Sequence, residues 1–482
     1  MKPIQLFFTV ILLFLGIHLK AQIQPMSLTE CVLMAVEKNI SVKQSELSLN
    51  DAEINKDDAK GNFFPTVNAQ ANHTWNIGLN QDITRGLLEN KTTQYTSFGA
   101  SFNVDIYNGL RNLNQLHRAN LAILAGEYQL EDMKDDVRLM VANAYLQILF
   151  NVEILAVQKS QLEITRKDAE RTQSMIDAGT KVKYDLLEIE ATMATQDQSV
   201  IQAENNLRLS KINLAQMLLI TDYENFNVVN IDVEAPFGQI LFEKPKDIFE
   251  KALTHRKDIK LSMTNIAIAE KDVELAKGTL QPSLSAYYGY NTRVSYADRI
   301  TGDGKFTDVP IGFVSSTKEP VLRSVEGNKA IGAVPFGEQF DRNAGHNIGL
   351  RLNIPIFNGF TARNRVERSK VNLLRSQNQL EQEKLNLENT INQAYNNAEG
   401  AYKFYEAAQK TELARRKAYE DAINRFEAGV MNVFDFNQIK QRYENAASDA
   451  VRAKSNGFTS RRRSPDGLVR LLRPSSLVKE TL

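Results

Sequence analysis

Few residues of this chain could do chemistry, and their spacing asks for none. The five histidines, His18, His73, His117, His255 and His346, are scattered, and HExxH, CxxC and GxSxG are all missing. There is no GxxxxGK[ST] phosphate loop. The single cysteine, Cys31, sits inside "LTECVLMAVEKN", a helical pattern that predicts a packed thiol, and one cysteine builds no internal disulfide. Asp298, Asp303 and Asp308 fall in "DRITGDGKFTD" but miss the EF-hand spacing, so a solvated loop is expected. Two turn-like phrases remain. "IDAGTKVKYDLLE" carries Asp185 and Glu188 with Lys181 and Lys183 nearby for alternative salt bridges, and "FEAGVMNVFDFNQ" carries Asp435. Each acid stands in a predicted first helical turn, where the macrodipole alone favours a carboxylate. No catalysis, cofactor or metal is expected.

Asp185 and Asp435 stand 250 residues apart, and that interval recurs. Asn103, Ile106, Asn108, Gly109 and Asn114 return as Asn353, Ile356, Asn358, Gly359 and Asn364. Ala144-Tyr145 return as Ala394-Tyr395, and Ala178-Gly179 as Ala428-Gly429. Nearer the N-terminus the interval is 217: Ala59-Lys60-Gly61 and Pro65 match Ala276-Lys277-Gly278 and Pro282. The chain is therefore a tandem duplication with about 33 extra residues in one loop of the second copy, between Ala286 and Gly349.

Residues 1–21 read as a signal peptide, with Lys2, the apolar run "LFFTVILLFLGIHL" and Ala21 for cleavage. No later stretch is expected to be long and apolar enough for a membrane helix. The first repeat is 22–230, with a helix over 27–60, strands at about 65–77 and 97–108, a long helix over 110–177 and a helix over 184–219. A linker follows at 231–243. The second repeat is 244–454, with a helix over 244–277, strands at about 282–292 and 346–357, a long helix over 360–427 and a helix over 434–454. Beyond it, 455–482 is an atypical basic tail in which Gly457, Pro465, Pro474 and a triple arginine break the helical pattern. The abruptness of that change favours a shifted reading frame over a genuine tail.

The strand segments alternate with period two. Val67, Ala69, Ala71 and Trp75 oppose Asn68, Gln70, Asn72 and Thr74. Phe98, Ala100, Phe102, Val104 and Ile106 oppose Ser97, Ser101, Asn103 and Asp105. In the second repeat Leu284, Ala286, Tyr288 and Tyr290, and Ile348, Leu350, Leu352, Ile354 and Ile356, make the apolar faces. Four strands of this length with one apolar face fit a membrane β-barrel, and Trp75, Tyr288 and Tyr290 suit an interfacial girdle. The pattern alone fits a soluble sandwich as well. Helices of ~100 Å and the export signal shift the balance to the barrel. Four strands cannot close a barrel in lipid, so several chains must pool theirs. Net charge is zero, with 58 basic and 58 acidic residues, which argues against a nucleic-acid binder.

At this point the chain resembles the TolC family of outer-membrane efflux proteins over roughly 27–450. The resemblance rests on the Gly-x-x-x-Pro helix-to-strand turns ending at Pro65 and Pro282, the "PIFNG" strand-to-helix turn, with Asn108-Gly109 and Asn358-Gly359 in the two copies, the duplicated halves and the "AGxxxxxD" helix turns. It implies a mixed α/β membrane protein, mainly long helices of a periplasmic α-barrel plus four strands given to a twelve-stranded transmembrane barrel. It implies a homotrimer in outer-membrane lipid that serves as a passive exit duct, docked to an inner-membrane transporter through a periplasmic adaptor (membrane fusion protein). It also implies a gate at the periplasmic helix turns. There Asp435 matches one family aspartate, while the second falls on Gln438 and a gate arginine falls on Met431, so a fully charged, salt-bridge-locked gate is not expected. Asp185 and Glu188 are the first-half candidates, and Ala178, Gly179, Ala428, Gly429 and Val430 the surface for an adaptor. A protein-secretion outlet on the same fold, or a periplasmic coiled-coil adaptor, are the alternatives.

Overall fold

A computed structural model describes residues 25–81, 86–230 and 243–461. The signal peptide, linker residues 231–242 and the tail from 462 lie outside them. In chain order the elements are α1 (Leu28–Lys38), α2 (Ile40–Gly61), β1 (Thr66–Asn76), β2 (Leu79–Gln81), β3 (Leu88–Asn90), β4 (Thr93–Tyr107), α3 (Arg111–Asp177) and α4 (Lys183–Met217). They continue as α5 (Pro245–His255), α6 (Lys257–Gly278), β5 (Ser283–Ser295), β6 (Arg299–Phe313), β7 (Pro320–Ile331), α7 (Phe336–Arg342), β8 (Gly345–Asn353), α8 (Thr361–Glu427) and α9 (Val433–Arg461). The α3 and α8 helices are 67 residues each, ~100 Å at 1.5 Å per residue.

The chain divides into a sheet unit, Glu53–Asn120 with Ile268–Leu373, and a helical unit made of the remaining segments. In the sheet unit four antiparallel strands run in the order β1-β4-β5-β8. The register aligns the faces: Val67, Phe102, Tyr288 and Ile348 form one row, and Ala69, Ala100, Tyr290 and His346 the next. This face is largely uncovered, with Ile348, Leu350, Leu352, Val67 and Trp75 exposed. The opposite face carries Asn68, Ser101 and Asn347, with Gly289 leaving room for the Asn347 amide.

Several boundaries differ from the sequence reading. The helices expected over 27–60 and 244–277 are each broken by one extended residue, Asn39 (ψ 132°) and Arg256 (ψ 137°), 217 apart. Asn39 Oδ1 accepts from Ser41 N at 2.8 Å and so restarts the helix as a cap. The last strand, expected to 357, stops at Asn353, because β5 begins only at Ser283 and Pro355 has no N–H to give a ladder. The β4 strand begins four residues early, at Thr93. The segment 298–308, expected as a solvated loop, is largely exposed but from Arg299 lies in strand β6 of the β6–β7 hairpin, and the same connection holds α7, whose Gln339 side chain bonds Ser295 N and O, both at 2.8 Å. Helix α9 carries on past 454, through Gly457, to Arg461. One stretch within α3 is in fact long and apolar enough to cross a membrane. About a third of it is buried, in the core described below.

Among the described residues the helical unit holds three apolar clusters. Cys31, Val32 and Val42 pack with Val141, Tyr145 and Ile148 of α3 and Leu214 of α4. The Tyr145 hydroxyl donates to the Val229 carbonyl at 2.7 Å. Ile248, Ala252 and Ile259 pack with Leu380, Leu387 and Ile391. Tyr419, Ala422, Phe426 and Phe436 form the third. Helix α1 starts with a capping box, Ser27 and Glu30.

Two predictions follow from these burials. The Cys31 thiol is fully buried and its pKa is pushed up to about 12 by that burial. A water-soluble maleimide will leave the folded protein unlabelled and modify one thiol per chain after denaturation. Rapid labelling of folded protein would contradict the packing. At the α5–α6 break, burial and the Asp258 and Asp136 carboxylates push Asp132 up to about 6. The folded chain thus keeps a proton that the unfolded chain loses between about pH 4 and 6, so this contribution to stability falls as pH rises. Asp132→Asn will remove that slope and raise the thermal midpoint at pH 7.5. The gain is on the order of 1 kcal/mol, because the group is half exposed.

Candidate functional site

Two kinds of place bring the expected residues together, and the unit to which each belongs is different. In the sheet unit are the turns between strand and helix. Gly109 (φ +70°) and Gly359 (φ +61°) take the left-handed conformation, and so do Leu110 and Phe360 after them. The preceding asparagine caps each new helix: Asn108 Oδ1 accepts from Asn112 N at 3.3 Å, and Asn358 Oδ1 from Ala362 N at 3.4 Å. At the opposite turns, Phe64 N bonds the Gly61 carbonyl at 2.9 Å and Gln281 N the Gly278 carbonyl at 3.2 Å, just before Pro65 and Pro282. Asn108 and Gly109 are buried, whereas Asn358 and Gly359 are exposed.

In the helical unit are the turns from α3 to α4 and from α8 to α9. Both close as Schellman motifs. Thr180 N reaches the Met175 carbonyl and Gly179 N the Ile176 carbonyl, both at 2.9 Å, while Val430 N and Gly429 N do the same to Arg425 and Phe426 at 3.1 Å. Gly179 (φ +74°) and Gly429 (φ +72°) permit it. Ala178, Gly179, Ala428, Gly429 and Val430 are exposed, as are Gln438 and Glu188, and Asp185 is half-buried. Asp435 is exposed and tied to its own turn: its N–H donates to Asn432 Oδ1 at 2.8 Å and its carboxylate accepts from Asn432 Nδ2 at 2.7 Å. Among the described residues no ion pair joins Lys181 or Lys183 to Asp185 or Glu188. Lys181 Nζ lies 3.8 Å from the centre of the Phe426 ring, which itself stacks on Phe436 at 4.5 Å. Burial there draws the Lys181 pKa down.

Sequence reasoning missed a polar layer between these helices. Lys440 of α9 is buried and donates to Asp168 Oδ2 at 2.5 Å and Thr165 Oγ1 at 2.9 Å on α3. One turn on, burial raises the Glu444 pKa, and its carboxylate accepts from Gln196 of α4 at 3.2 Å. Gln161 of α3 donates to the Glu444 carbonyl at 2.9 Å. The signal in the sequence was a lysine on the apolar stripe of α9, four after Phe436. Among the described residues no group of three His, Cys, Asp or Glu side chains could hold a metal.

Lys440→Met strands the Asp168 carboxylate in this layer and will cost about 3–5 kcal/mol. Lys440→Met with Asp168→Leu will recover most of that, as read from detergent-phase unfolding midpoints. A single variant with an unchanged midpoint would show that the pair is solvated.

Comparison with known proteins now bears on this architecture. The model of the outer membrane efflux protein family matches residues 32–218 and 248–463, so it covers both repeats. The outer membrane efflux protein BepC of Brucella suis biovar 1 (strain 1330) is 18% identical over 412 residues, 85% of this chain and 78% of BepC. The crystal structure of the outer membrane protein VceC from Vibrio cholerae matches with a TM-score of 0.71 at 13% identity, over 92% of this chain and 95% of that one. The outer-membrane channel OprN matches with a TM-score of 0.71 at 18% identity, over 92% of this chain and 89% of OprN. These structures share the TolC-like fold, and family and fold alike are those of channel and transport proteins, which sets aside the reading as an adaptor. The chain belongs to the outer membrane efflux protein family, and it is an exit duct of the outer membrane.

Proposed function

We propose that the chain assembles as a homotrimer that conducts substrates passively outward, from an inner-membrane transporter docked through a periplasmic adaptor. Each repeat, 22–230 and 244–454, gives two strands to a common twelve-stranded barrel and its helices to a periplasmic tunnel. The observation that carries this reading is the four-stranded sheet, with β1 and β8 as unpaired edges and its apolar face uncovered. An open edge in hydrocarbon forfeits several kcal/mol for each unmade hydrogen bond, so only closure by further copies is viable. The 67-residue helices fit a tunnel and fit no soluble sandwich.

The gate is assigned to the α8–α9 and α3–α4 turns. Asp435 is the acid of the constriction, with Gln438 one turn on, and Asp185 and Glu188 are its first-repeat counterparts. The bond from Asn432 supports a fixed carboxylate at that position. The packing of Lys181 on Phe426 supports a tip held by aromatic contact and the Arg171–Glu427 pair, with no lock between Lys181 and Asp185 or Glu188. The small exposed residues Ala178, Gly179, Ala428 and Gly429, with Val430, suit close approach by an adaptor.

Membranes of an expressing strain will release the protein only with detergent, and light scattering will give three chains per particle. Recovery as a soluble monomer without detergent would overturn the duct reading. In planar bilayers Asp435→Ala will weaken block by multivalent cations. Conductance and block equal to those of the unaltered channel would remove Asp435 from the constriction.

A further inference from the structure

The internal duplication makes a residue-level statement that the single chain can check. Residues of the first repeat map onto the second by 217 up to β1 and by 250 from β4 onward. The β1–β4 register pairs Thr66 with Asn103. The two intervals carry that pair to Ser283 and Asn353, which is the pair observed between β5 and β8. The turns repeat as well, down to the positive φ of Leu110 (60°) and Phe360 (62°). The repeat relation therefore transfers contacts and backbone shape alike.

One contact within the chain lacks its counterpart. The first repeat's strand-to-helix turn meets the second repeat's helix-to-strand turn, glycine against glycine. A Cβ on Gly109 would collide with the Gly278 carbonyl, and one on Gly278 would lie 2.6 Å from the Gly109 oxygen. Beside this joint the Tyr107 hydroxyl donates to Gln281 Oε1, and above it β4 pairs with β5 through Asn103 and Tyr287. The repeat relation maps the joint onto Gly359 and Gly61, the side-chain contact onto Phe357 and Phe64, and the strand pair onto Asn353 and Gln70. In the single chain nothing lies within 4 Å of a Cβ at Gly359 or at Gly61. Phe357 and Phe64 are 76% and 68% exposed. β8 and β1 are the sheet's edges.

We infer that a second copy of this chain completes these contacts: β8 of one copy pairs antiparallel with β1 of the next in the register Asn353 to Gln70, Gly359 closes on Gly61 of the next copy, and Phe357 packs on its Phe64. The inference rests on the trimer reading and fixes the register that reading leaves open. Side-chain parity agrees, since Asn353 and Gln70 share the polar face while Leu352 and Ala71 share the apolar one. A slip of one residue would set Leu352 against Gln70 and reverse one strand's faces. A slip of two keeps the faces and separates the glycines. The joint also accounts for Gly61. It ends α2 with no left-handed φ and open surroundings, so nothing in the single chain requires glycine there, and the backbone of the next copy is what a side chain there would strike.

Oxidative cross-linking in the full chain tests this, with buried Cys31 as a silent background. Asn103→Cys with Tyr287→Cys is the in-chain reference pair and will link without a change in chain number. Asn353→Cys with Gln70→Cys will link to a comparable extent and give dimer and trimer ladders on denaturing gels. Asn353→Cys with Asn72→Cys, the two-residue slip, will link at least tenfold less. Gly61→Leu will keep the helical circular dichroism of a folded chain and lose most of the trimer on sizing. Trimers that link in the slipped pair, trimers that link in neither, or undiminished trimer from Gly61→Leu would each overturn the register while leaving the duct intact. A native chain that is monomeric in detergent would overturn both.

Discussion

A sheet in hydrocarbon cannot end, because each unpaired N–H and C=O of its last strand has neither water nor protein to bond. Most of this molecule can be understood from that constraint. Four strands alternate so that one face is apolar, and both outer strands stay unpaired within the chain. The duplication supplies a repeated way of leaving and re-entering the sheet. An asparagine caps the departing helix, a glycine turns the backbone through a left-handed conformation, and Gly-x-x-x-Pro brings the chain back. Where a departure and a return lie side by side, as at Gly109 and Gly278, no side chain fits between them. Glycine at these positions is thus as much a condition of closure as of turning.

The sequence was most legible where a pattern had a single physical cause. Alternation needs only a sheet with two unlike faces, and a proline-free run of helical periodicity needs only a helix. What escaped notice depended on one residue or on distant ones. A helix pattern runs straight through Asn39 and Arg256, because one extended residue barely alters the phase of the apolar stripe. What makes the break is local bonding, Asn39 to Ser41 N and Arg256 Nε to Asp258 at 2.9 Å. His73 and His346 occupy the apolar face and were not read as part of it. Each is accommodated by a cross-strand hydroxyl at 2.8 Å, Thr96 for His73 and Tyr288 for His346. The β6–β7 strands were hidden by Asp303, Gly304 and Lys305, which bulge out between the paired Gly302 and Phe306 and interrupt the alternation.

The candidate site was legible as turns and illegible as packing. Ala-Gly followed by an acid marks a helix end and a helix start, and the Schellman geometry at Gly179 and Gly429 has that origin. Nothing local marks Lys440 as the lysine that will meet Asp168, 272 positions away. Its role is understandable from the helices themselves. Helix α8 is mostly polar with a thin apolar stripe, as is α3 outside its one long apolar stretch, so neighbouring helices could slide by a turn and still bury similar residues. A buried ion pair contributes little net stability, since desolvation offsets its attraction. It is nonetheless costly to break, so one pair at one height selects one register.

The two kinds of contact differ in how readily they could be remade. Parting a strand edge in lipid exposes backbone groups worth several kcal/mol each, and several must part together. At the α8–α9 turn the contacts are ring stacking of Phe426 on Phe436, the Lys181 ammonium over Phe426 and the ion pair of Arg171 with Glu427 at 3.1 Å. Such contacts contribute about 1 kcal/mol or less apiece and can be exchanged one at a time for water. In the proposed channel these energies assign any change in bore to the helical turns, with the sheet as the fixed part. The buried Lys440–Asp168 pair sets how far along the helices such a change can travel before it meets a cost of several kcal/mol.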